Sequence, residues 1–369
     1  MRCRVCYTQT IPWLDLGAQP LANGFYTDPS TLRYYPLSVV RCPHCALSQL
    51  TEVVPPDLLY TDYVYRSGIS QTFNQHCAEL AAELSSLFSV PHDRALDIGA
   101  NDGTLMDKME RYGFLAFGID PSPQDSTAFG GLIHQGYFPK DTAHIRDGNF
   151  QVITSLNVLG HVDDVQAFTA EVARLLTNDG VWAVEVPWVR ELLRGAEFDT
   201  IYHEHLSYWS LSALRLLGKA HGLEAIHISF QPIHGGTIRV FFQKNAQPVP
   251  EWSEASLLDP MTYDEFKIRM AKRVKRFWNS YRHMEGSWAG YGAAAKSTVF
   301  AEVAGLGPDH LLYVADSTPE KQGRFTPFGV PVVPPGDFAG IDNVLIFPWN
   351  FEAEIRAKLP PNVKVLVSR

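Results

Sequence analysis

One segment of the chain, Asp97-Ile-Gly-Ala-Asn-Asp-Gly103, limits most strongly the folds that the sequence can adopt. It continues an apolar stretch, Ala95-Leu-Asp-Ile, that is typical of a buried strand, and it precedes a helical pattern that begins at Thr104. Glycines between a strand and a helix allow the tight turn at which doubly wound sheets bind ligands. The segment therefore predicts an α/β domain built on a mostly parallel sheet.

The rest of the sequence repeats this alternation of strand and helix patterns. Four more apolar strand patterns follow in the same region, at residues 116–119, 152–156, 181–186 and 237–242. A polar stretch at 250–285 predicts a connecting helix, and a second glycine-rich turn at 290–297 predicts a second Rossmann-like unit. We therefore expect three domains: a zinc-binding domain (1–75), a central Rossmann-like domain (76–245) and a C-terminal Rossmann-like α/β domain (246–369).

The net charge of the chain limits the kinds of molecule that it is expected to bind. The chain of 369 residues has a formal net charge of −9, whereas nucleic acid demands a basic face, so we expect no nucleic-acid partner. The start, MRCRVC, lacks the apolar region of a secretory signal, and no apolar run approaches the ~18 residues of a membrane span. These features predict a soluble, cytoplasmic protein that acts on a small molecule.

Four of the five cysteines form two Cys-x-x-Cys pairs near the start of the sequence, Cys3 with Cys6 and Cys42 with Cys45. In a cytosolic protein two such pairs bind one tetrahedral Zn²⁺ through four thiolates more readily than they form disulfides. A closed site of four cysteines has no open coordination position, so we expect this zinc to be structural. His44 is a weaker candidate for a ligand.

The central glycine-rich turn predicts a nucleoside-type cofactor. Asp120 ends the next strand pattern, 23 residues after Asp97, where a carboxylate suits the ribose hydroxyls. Asp97 and Asp102 flank the turn, and they would repel a pyrophosphate but attract a sulfonium and an α-amino group. The charges therefore favour S-adenosylmethionine over NAD. We expect cofactor contacts from Asp97, Gly99, Asn101, Gly103 and Asp120.

The densest group of acid and base side chains follows the strand pattern at 181–186, at Tyr202-His203-Glu204-His205. On a helical turn Tyr202 and His205 share a face, and Glu204 is placed to hold a histidine tautomer. His161 follows the strand pattern at 152–156, at the edge where such sheets bind ligands. We interpret the group as catalytic; a second metal site on its two histidines and glutamate is a weaker hypothesis, because neighbouring side chains seldom bind one ion.

Two further glycine-rich segments each leave two interpretations open. His234-Gly-Gly enters a strand pattern, and its glycines suit either the close approach of a ligand or the packing of the turn. Gly290-Tyr-Gly-Ala-Ala-Ala-Lys296 opens a helix whose amides, together with the Lys296 ammonium, suit a phosphate. An exposed lysine at the start of a helix is the alternative.

Over nearly the whole sequence these motifs resemble those of the three-domain sugar C-methyltransferases of deoxysugar pathways. The similarity includes the Cys-x-x-Cys pairs, Pro20-Leu-Ala-Asn-Gly-Phe, Tyr63-Val-Tyr-Arg-Ser-Gly, the Asp97–Gly103 turn, Phe198-Asp-Thr-Ile-Tyr-His-Glu-His, His234-Gly-Gly, Gly290-Tyr-Gly-Ala-x-Ala-Lys, Lys321-Gln-Gly and Trp349-Asn-Phe. Enzymes of that family transfer a methyl group from S-adenosylmethionine to a ring carbon of keto sugars linked to thymidine diphosphate (TDP). The set of motifs is specific for the family and much less specific for one sugar.

The resemblance implies roles for individual residues. By motif, Tyr202, Glu204 and His205 correspond to the family's catalytic cluster, and His161 to its additional active-site histidine. One tyrosine of the pair Tyr63 and Tyr65 reaches the active site, and the C-terminal unit helps to hold the nucleotide sugar. We assign Tyr65 and Ser67 to the cofactor, and to the substrate Tyr63, His203, His234, Tyr291 and Lys296. The oligomeric state is left open.

The chemistry expected of such a site is the removal of a proton next to a ketone, followed by transfer of the methyl group. His205, held by Glu204, is the expected base, with Tyr202 or His161 at the enolate oxygen. An O- or N-methyltransferase of a small molecule is the nearest alternative. From another class, a zinc-ribbon binding module with a degenerate methyltransferase core is disfavoured by the acidic net charge and the complete set of motif residues.

Overall fold

The computed structural model describes residues 1–60, 68, 70–87, 93–122, 132–250, 252–336 and 338–369. Its strands are β1 (Ile11–Pro20), β2 (Tyr34–Arg41), β3 (Ser48–Leu50), β4 (Arg94–Ile98), β5 (Leu115–Asp120), β6 (Ile133–Gln135), β7 (Phe150–Leu156), β8 (Leu176–Pro187), β9 (Ser207–Tyr208), β10 (Leu223–Gln231), β11 (Thr237–Lys244), β12 (Trp288–Tyr291), β13 (Val314–Ala315), β14 (Val332–Val333), β15 (Asn343–Ile346) and β16 (Lys364–Val367). Its helices are α1 (Pro56–Tyr60), α2 (Gln71–Leu87), α3 (Thr104–Arg111), α4 (Val165–Leu175), α5 (Val189–Gly195), α6 (Leu211–Ala220), α7 (Pro260–Arg282), α8 (Ala295–Ala304) and α9 (Glu352–Arg356).

The central sheet has the strand order β10-β11-β8-β7-β4-β5-β6. Strands β4 to β8 are parallel, whereas β11 runs antiparallel to both β8 and β10. From β4 the chain moves outward through β5 and β6, and then returns to place β7 and β8 on the other side. The carboxyl ends of β4 and β7 are therefore neighbours at a switch point, which is where such sheets bind ligands.

Five strands of this sheet were predicted from apolar runs, and the structure confirms all five: β4, β5, β7, β8 and β11. Two strands at the edges of the sheet were not predicted. β6 has three residues of which one is buried, and β10 buries only two of its nine residues. Edge strands bury less surface, so their apolar pattern is weaker.

The first sheet is antiparallel, with the order β1-β2-β3-β9. Its last strand, β9, comes from the central region of the sequence, where Tyr208 pairs with Ser48 of β3. The N–H of Leu50 also donates to the Leu206 carbonyl at 3.0 Å. The segment that carries the predicted catalytic residues is therefore anchored on the zinc-binding region.

The third sheet is parallel throughout and has the order β14-β13-β12-β15-β16. It confirms the second Rossmann-like unit, and its switch point lies between β12 and β15. Helix α7 provides the predicted connection. Asp259 caps this helix by accepting the N–H of Met261, and Pro260 occupies its first turn.

The three regions share one apolar core. Trp13 of β1, Phe198 of the central region, Phe266 of α7 and Phe300 of α8 all belong to it, and none is more than 7% exposed. Helix α2 runs across the predicted boundary between residues 75 and 76, and the domain limits stay predictions. Within the described ranges, every helix is too short or too polar to span a bilayer.

Candidate active site and metal centre

The two Cys-x-x-Cys pairs fold into matching turns. The carbonyls of Cys3 and Cys42 accept the N–H groups of Tyr7 and Ala46, at 3.0 and 3.1 Å. Tyr7 and Ala46 both adopt positive φ, 59° and 60°. Each pair is thus held in the same tight loop, which directs its two sulfur atoms toward a common point.

The four sulfur atoms lie at the spacing of a tetrahedral metal site, all within 4.8 Å of one another. The Sγ–Sγ distances are 3.6 Å for Cys3–Cys45, 3.4 Å for Cys6–Cys42 and 3.8 Å for Cys6–Cys45. Four thiolates at the zinc–sulfur distance of about 2.3 Å would be about 3.8 Å apart. The predicted four-cysteine zinc site is therefore formed, and exposed His44 is not part of it.

The turn after β4 needs its glycines. Gly99, Asn101 and Gly103 have φ values of 77°, 50° and 76°, in the left-handed region that glycine and asparagine tolerate best. A Cβ atom at Gly99 would come within 2.4 Å of Val158 Cγ2. Glycine at this position therefore lets the loop after β7 pack directly against the turn, which brings the two ligand-binding loops of the switch point together.

Asp120 lies at the carboxyl end of β5 and holds the turn. Its Oδ2 accepts the N–H of Asn101 at 3.0 Å, and its Oδ1 accepts the N–H of Ser122 at 2.7 Å. Each carboxylate oxygen has a second lone pair, which suits the ribose hydroxyls of a nucleoside. Burial raises the pKa of Asp120 and raises the pKa of Asp97 to about 7, so both carboxylates gain from a cationic ligand.

Asp102 does not add its charge to this pocket in the way expected from the sequence. Its Oδ1 accepts the Thr104 hydroxyl at 2.6 Å, and its Oδ2 accepts the N–H of Gly68 at 2.6 Å. Asp102 therefore caps the start of α3 and fastens the segment that precedes α2. The two carboxylates that remain at the turn are those of Asp97 and Asp120, and their contact with the cofactor stays a prediction.

Tyr202 and His205 form a direct pair, as predicted. The His205 Nδ1 lies 2.9 Å from the Thr200 carbonyl, and its Nε2 lies 2.9 Å from the Tyr202 hydroxyl. A carbonyl only accepts, so Nδ1 carries the proton and Nε2 accepts the hydrogen bond from Tyr202. The structure thus gives His205 the tautomer in which Nε2 is the basic nitrogen.

His161 joins this pair from the loop after β7. Its ring centroid lies 4.9 Å from that of His205, with the two rings in an edge-on arrangement. Burial lowers the pKa of His161 to about 4, against the opposing effect of the Glu204 carbonyl, so the ring is neutral near pH 7.

Glu204 does not hold His205, which corrects the expectation from the sequence. Both of its carboxylate oxygens lie 2.9 Å from Nδ2 of Asn23, a residue of the first region. Burial raises the pKa of Glu204 to about 7, against the opposing effects of Asn23 and Lys321. Glu204 is next to His205 in the sequence, but its carboxylate bonds to another part of the structure. The ring of His205 is instead oriented by the Thr200 carbonyl.

His203 contacts the first sheet, and its position does not support the predicted contact with substrate. Its side chain is 1% exposed, and its Nε2 lies 3.2 and 3.3 Å from the carbonyls of Tyr35 and Pro36. Burial lowers the pKa of His203. We conclude that this histidine joins the segment that carries Tyr202 and His205 to β2.

Lys296 and Tyr291 both lie in buried surroundings, and their predicted roles in binding substrate stay predictions. The Lys296 Nζ lies 3.3 Å from Asn350 Oδ1 and 4.1 Å from the ring centroid of Trp349. Burial lowers its pKa, although Asp199 is among the groups that oppose the shift. The ammonium therefore belongs to a buried network and does not sit at an exposed helix start. Tyr291 lies in the core of the third sheet and is 8% exposed.

The remaining predicted site residues are Tyr63, Tyr65, Ser67 and His234. Tyr63, Tyr65 and Ser67 are outside the described residues, as is the side chain of His234. The glycines that follow His234 serve packing: a Cβ at Gly235 would collide with Glu197, and one at Gly236 would lie 2.8 Å from Glu191 Cγ. Of the two interpretations of this segment, the geometry favours packing.

Three residues of the site were not singled out from the sequence. Asn23 and Lys321 lie beside Glu204, in two stretches that carry the family resemblance. Asp316 follows β13, and its Oδ2 and Oδ1 accept the N–H groups of Ala293 and Thr318, both at 2.8 Å. This is the same arrangement that Asp120 makes in the central sheet. The signal that selected Asp120, an acidic residue after the next strand, would have found it.

Comparison with known proteins identifies the same three parts. Residues 3–60 match a zinc binding domain, residues 70–228 a methyltransferase domain, and residues 232–364 the C-terminal domain of C-methyltransferases. A zinc-binding domain with these two units defines a methyltransferase that uses S-adenosylmethionine as its methyl donor.

The C-methyltransferase NovU of Streptomyces niveus is 30% identical to this protein over 382 residues, which cover 96% of this chain and 90% of NovU. The chain therefore belongs to the family of C-methyltransferases that includes NovU. Among solved structures, 1,6-didemethyltoxoflavin-N1-methyltransferase of Burkholderia thailandensis is similar at 16% identity, over 54% of this chain and 96% of that one, with a TM-score of 0.41. Magnesium protoporphyrin IX methyltransferase of Synechocystis is similar at 15% identity, over 47% of this chain and 83% of that one, with a TM-score of 0.39.

The role of Asp120 leads to a direct prediction. Replacing Asp120 with alanine should weaken binding of S-adenosylmethionine by about 1.5–3 kcal/mol, the range for hydrogen bonds to a charged group. Calorimetric titration measures the dissociation constant, and thermal unfolding checks that the turn at Asn101 survives the loss of its acceptor. An unchanged dissociation constant would show that the cofactor does not use this carboxylate.

Proposed function

We propose that this protein methylates a nucleotide-linked deoxysugar at a carbon next to a ketone, with a TDP-linked keto sugar as the substrate class. The observation that carries the proposal is the repeated use of one carboxylate arrangement. Asp120 and Asp316 each follow the second strand of a Rossmann-like unit, and each accepts one N–H from the preceding glycine-rich turn and one from two residues ahead. Each Rossmann-like unit thus has a carboxylate that suits the ribose of a nucleoside. Two such sites suit a reaction between two nucleoside-containing molecules.

A cavity of about 290 Å³ supports the proposal of a bound sugar. Asn23 and Phe25 of the first region line it, with Glu204 of the central region and Lys321 and Arg324 of the C-terminal region. An amide, a carboxyl group, an ammonium and an aromatic ring are the groups that bind a hydroxylated ring with one apolar face. The volume is at the lower end of the range for small-molecule sites, about 300–1,000 Å³.

In the proposed reaction His205 acts as the base. Carbon is a poor nucleophile until it loses a proton, and a neighbouring ketone makes that proton removable by delocalising the negative charge as an enolate. Nε2 of His205 takes the proton, while the Thr200 carbonyl stabilises the imidazolium through Nδ1–H. S-adenosylmethionine, when bound, supplies the electrophilic methyl group that the carbon attacks.

Tyr202 is the better donor to the enolate oxygen than His161. The Tyr202 hydroxyl donates to Nε2 of His205, so it lies beside the base and can donate to the enolate oxygen when Nε2 takes up the substrate proton. The neutral His161 ring packs edge-on against the ring of His205. We therefore assign His161 to orienting the base.

The proposed function is tested by assaying the enzyme with labelled S-adenosylmethionine against a panel of nucleotide-linked 4-keto sugars. We expect transfer of the label to a ring carbon, located by NMR of the product. Asp316→Asn should raise KM for the nucleotide sugar by about tenfold, as expected for weakening hydrogen bonds to a charged group, and should leave the affinity for S-adenosylmethionine unchanged. Asp120→Ala is the reciprocal control.

The panel also includes each sugar without its nucleotide and each sugar with its ketone reduced to an alcohol. Neither should be methylated at carbon, because the first lacks the group bound at Asp316 and the second has no carbon-bound proton made acidic by a neighbouring ketone. Label on an oxygen or nitrogen atom would instead identify an O- or N-methyltransferase and contradict the proposal.

A further inference from the structure

Asp199 is a buried charge that the proposed chemistry does not use. It is 0% exposed, and its two carboxylate oxygens accept hydrogen bonds from the Arg273 guanidinium, both at 2.8 Å. The Trp349 indole N–H also donates to Oδ2, at 2.8 Å. Asp199 stands in the segment that resembles the sugar C-methyltransferases, and Trp349 stands in another such segment.

The partners of Asp199 come from the C-terminal region. Arg273 lies on α7, and Trp349 follows β15 at the carboxyl edge of the third sheet. Arg273 also donates to the carbonyls of Ala196 and Ser368, at 2.9 and 2.8 Å. One guanidinium therefore ties the central region, the connecting helix and the last residues of the third sheet together around Asp199.

Two cations hold the Trp349 ring in place. The Lys296 Nζ and the Arg369 guanidinium carbon each lie 4.1 Å from the ring centroid. Arg369 also donates to Glu197 Oε1 at 3.0 Å. Cation–π contacts of this kind restrict the position of the indole, and with it the hydrogen bond to Asp199.

Thr200, the residue after Asp199, bonds to His205, the proposed base. The Thr200 carbonyl accepts the Nδ1–H of His205 at 2.9 Å, and the Thr200 N–H is held by the Glu197 carbonyl at 3.0 Å. A buried ion pair adds little to stability compared with apolar packing, but it fixes geometry because its loss leaves a buried charge without a partner. The tautomer of a histidine is set by the hydrogen bond that its other nitrogen makes.

We propose that Asp199 is a positioning residue: its contact with Arg273 and Trp349 fixes the Thr200 carbonyl and so keeps His205 in the Nδ1–H tautomer. Packing of the C-terminal region against Asp199 is then required for Nε2 of His205 to be basic. This inference rests on the proposed function in one respect, the role of His205 as the base. It assigns to Arg273 and Trp349 a part in the reaction although neither touches the substrate.

The test compares two tryptophan-to-phenylalanine variants in ligand-free protein labelled with ¹⁵N-histidine. Trp349→Phe keeps an aromatic ring but removes the N–H that Asp199 accepts. Trp278→Phe is the matched control, because it also removes one indole N–H, here donated to the Ala304 carbonyl at 2.9 Å within the C-terminal region. The His205 signals are assigned by their absence in His205→Asn.

We expect Nε2 of His205 to have the shift of an unprotonated nitrogen in the wild type and in Trp278→Phe, and an intermediate shift in Trp349→Phe. The kcat of Trp349→Phe should fall by about tenfold, the lower range for loss of an orienting partner, with KM for S-adenosylmethionine within about twofold. Asp199→Asn should change the same nitrogen further, because it also weakens the contact with Arg273.

An unprotonated Nε2 in both Trp349→Phe and Asp199→Asn overturns the proposal, whatever their kcat. The same shift change in Trp278→Phe also overturns it, since the effect would then be a general one. The spectra need no substrate, so they report on Asp199 even if no nucleotide sugar is accepted. Failure of the proposed function is seen separately, in the panel of sugars.

Discussion

Replacing His205 with asparagine is expected to reduce turnover by about 10²-fold or more, with almost no change in the affinity for S-adenosylmethionine. Asparagine offers an N–H to the Thr200 carbonyl in place of Nδ1–H, but it has no basic nitrogen in place of Nε2. The variant therefore removes the proton acceptor and disturbs the fold little. Steady-state kinetics and calorimetric titration measure the two quantities.

Isotope exchange isolates the proton-transfer step. With S-adenosylhomocysteine in place of the methyl donor, the wild type should exchange the substrate's α-proton for deuterium from heavy water. His205→Asn should abolish this exchange, because enolisation requires the base even when no methyl group is transferred.

His203→Asn is the matched control in the same segment. It removes contacts with the Tyr35 and Pro36 carbonyls, so it should lower the melting temperature and leave turnover per folded enzyme nearly normal. If His205→Asn retains near-normal turnover, the base lies elsewhere, and His161 is then the next candidate.

The second large effect is expected from loss of the zinc. Freshly purified protein should contain one Zn²⁺ per molecule, and Cys42→Ser should lose it. The apparent binding energy of a structural zinc is roughly 10–16 kcal/mol, as large as the stability of a typical domain. The first sheet should therefore lose its cooperative fold, as observed by near-ultraviolet circular dichroism and thermal unfolding.

This loss should also reduce turnover, although the zinc has no part in the chemistry. The Cys45 carbonyl accepts the Ser210 hydroxyl at 2.6 Å, and β3 pairs with β9. Both contacts lie just after the segment that carries Tyr202 and His205. Unfolding of the first sheet releases one side of that segment.

Cys77→Ala is the control for this prediction. Cys77 is buried in α2 and is not one of the four clustered cysteines, so the variant should keep its zinc. Purified, unchelated wild-type protein without zinc would contradict the assignment of the site. So would a Cys42→Ser variant with unchanged metal content and melting temperature.

The sequence determined the features that depend on local pattern. Apolar runs defined the buried strands of the central sheet, because a strand buried on both faces needs apolar residues at successive positions. The glycines of the turn after β4 and the spacing of the Cys-x-x-Cys pairs are equally local, since they reflect the backbone and ligand geometry of a few residues. Asp120 followed from its place at the carboxyl end of its strand, and the pairing of Tyr202 with His205 followed from their i, i+3 spacing on a turn.

Only the tertiary structure decided which partner each polar group has. Glu204 stands next to His205 in the sequence, yet it bonds to Asn23, 181 positions away, and the orienting group for His205 is a backbone carbonyl that no pattern of side chains reveals. The sequence leaves Lys296 either as a phosphate ligand or as an exposed lysine at the start of a helix. The structure shows its ammonium against the ring of Trp349, more than 50 residues later. Strands and turns arise from neighbours along the sequence, whereas hydrogen bonds in a buried site form between segments that meet only when the three regions pack.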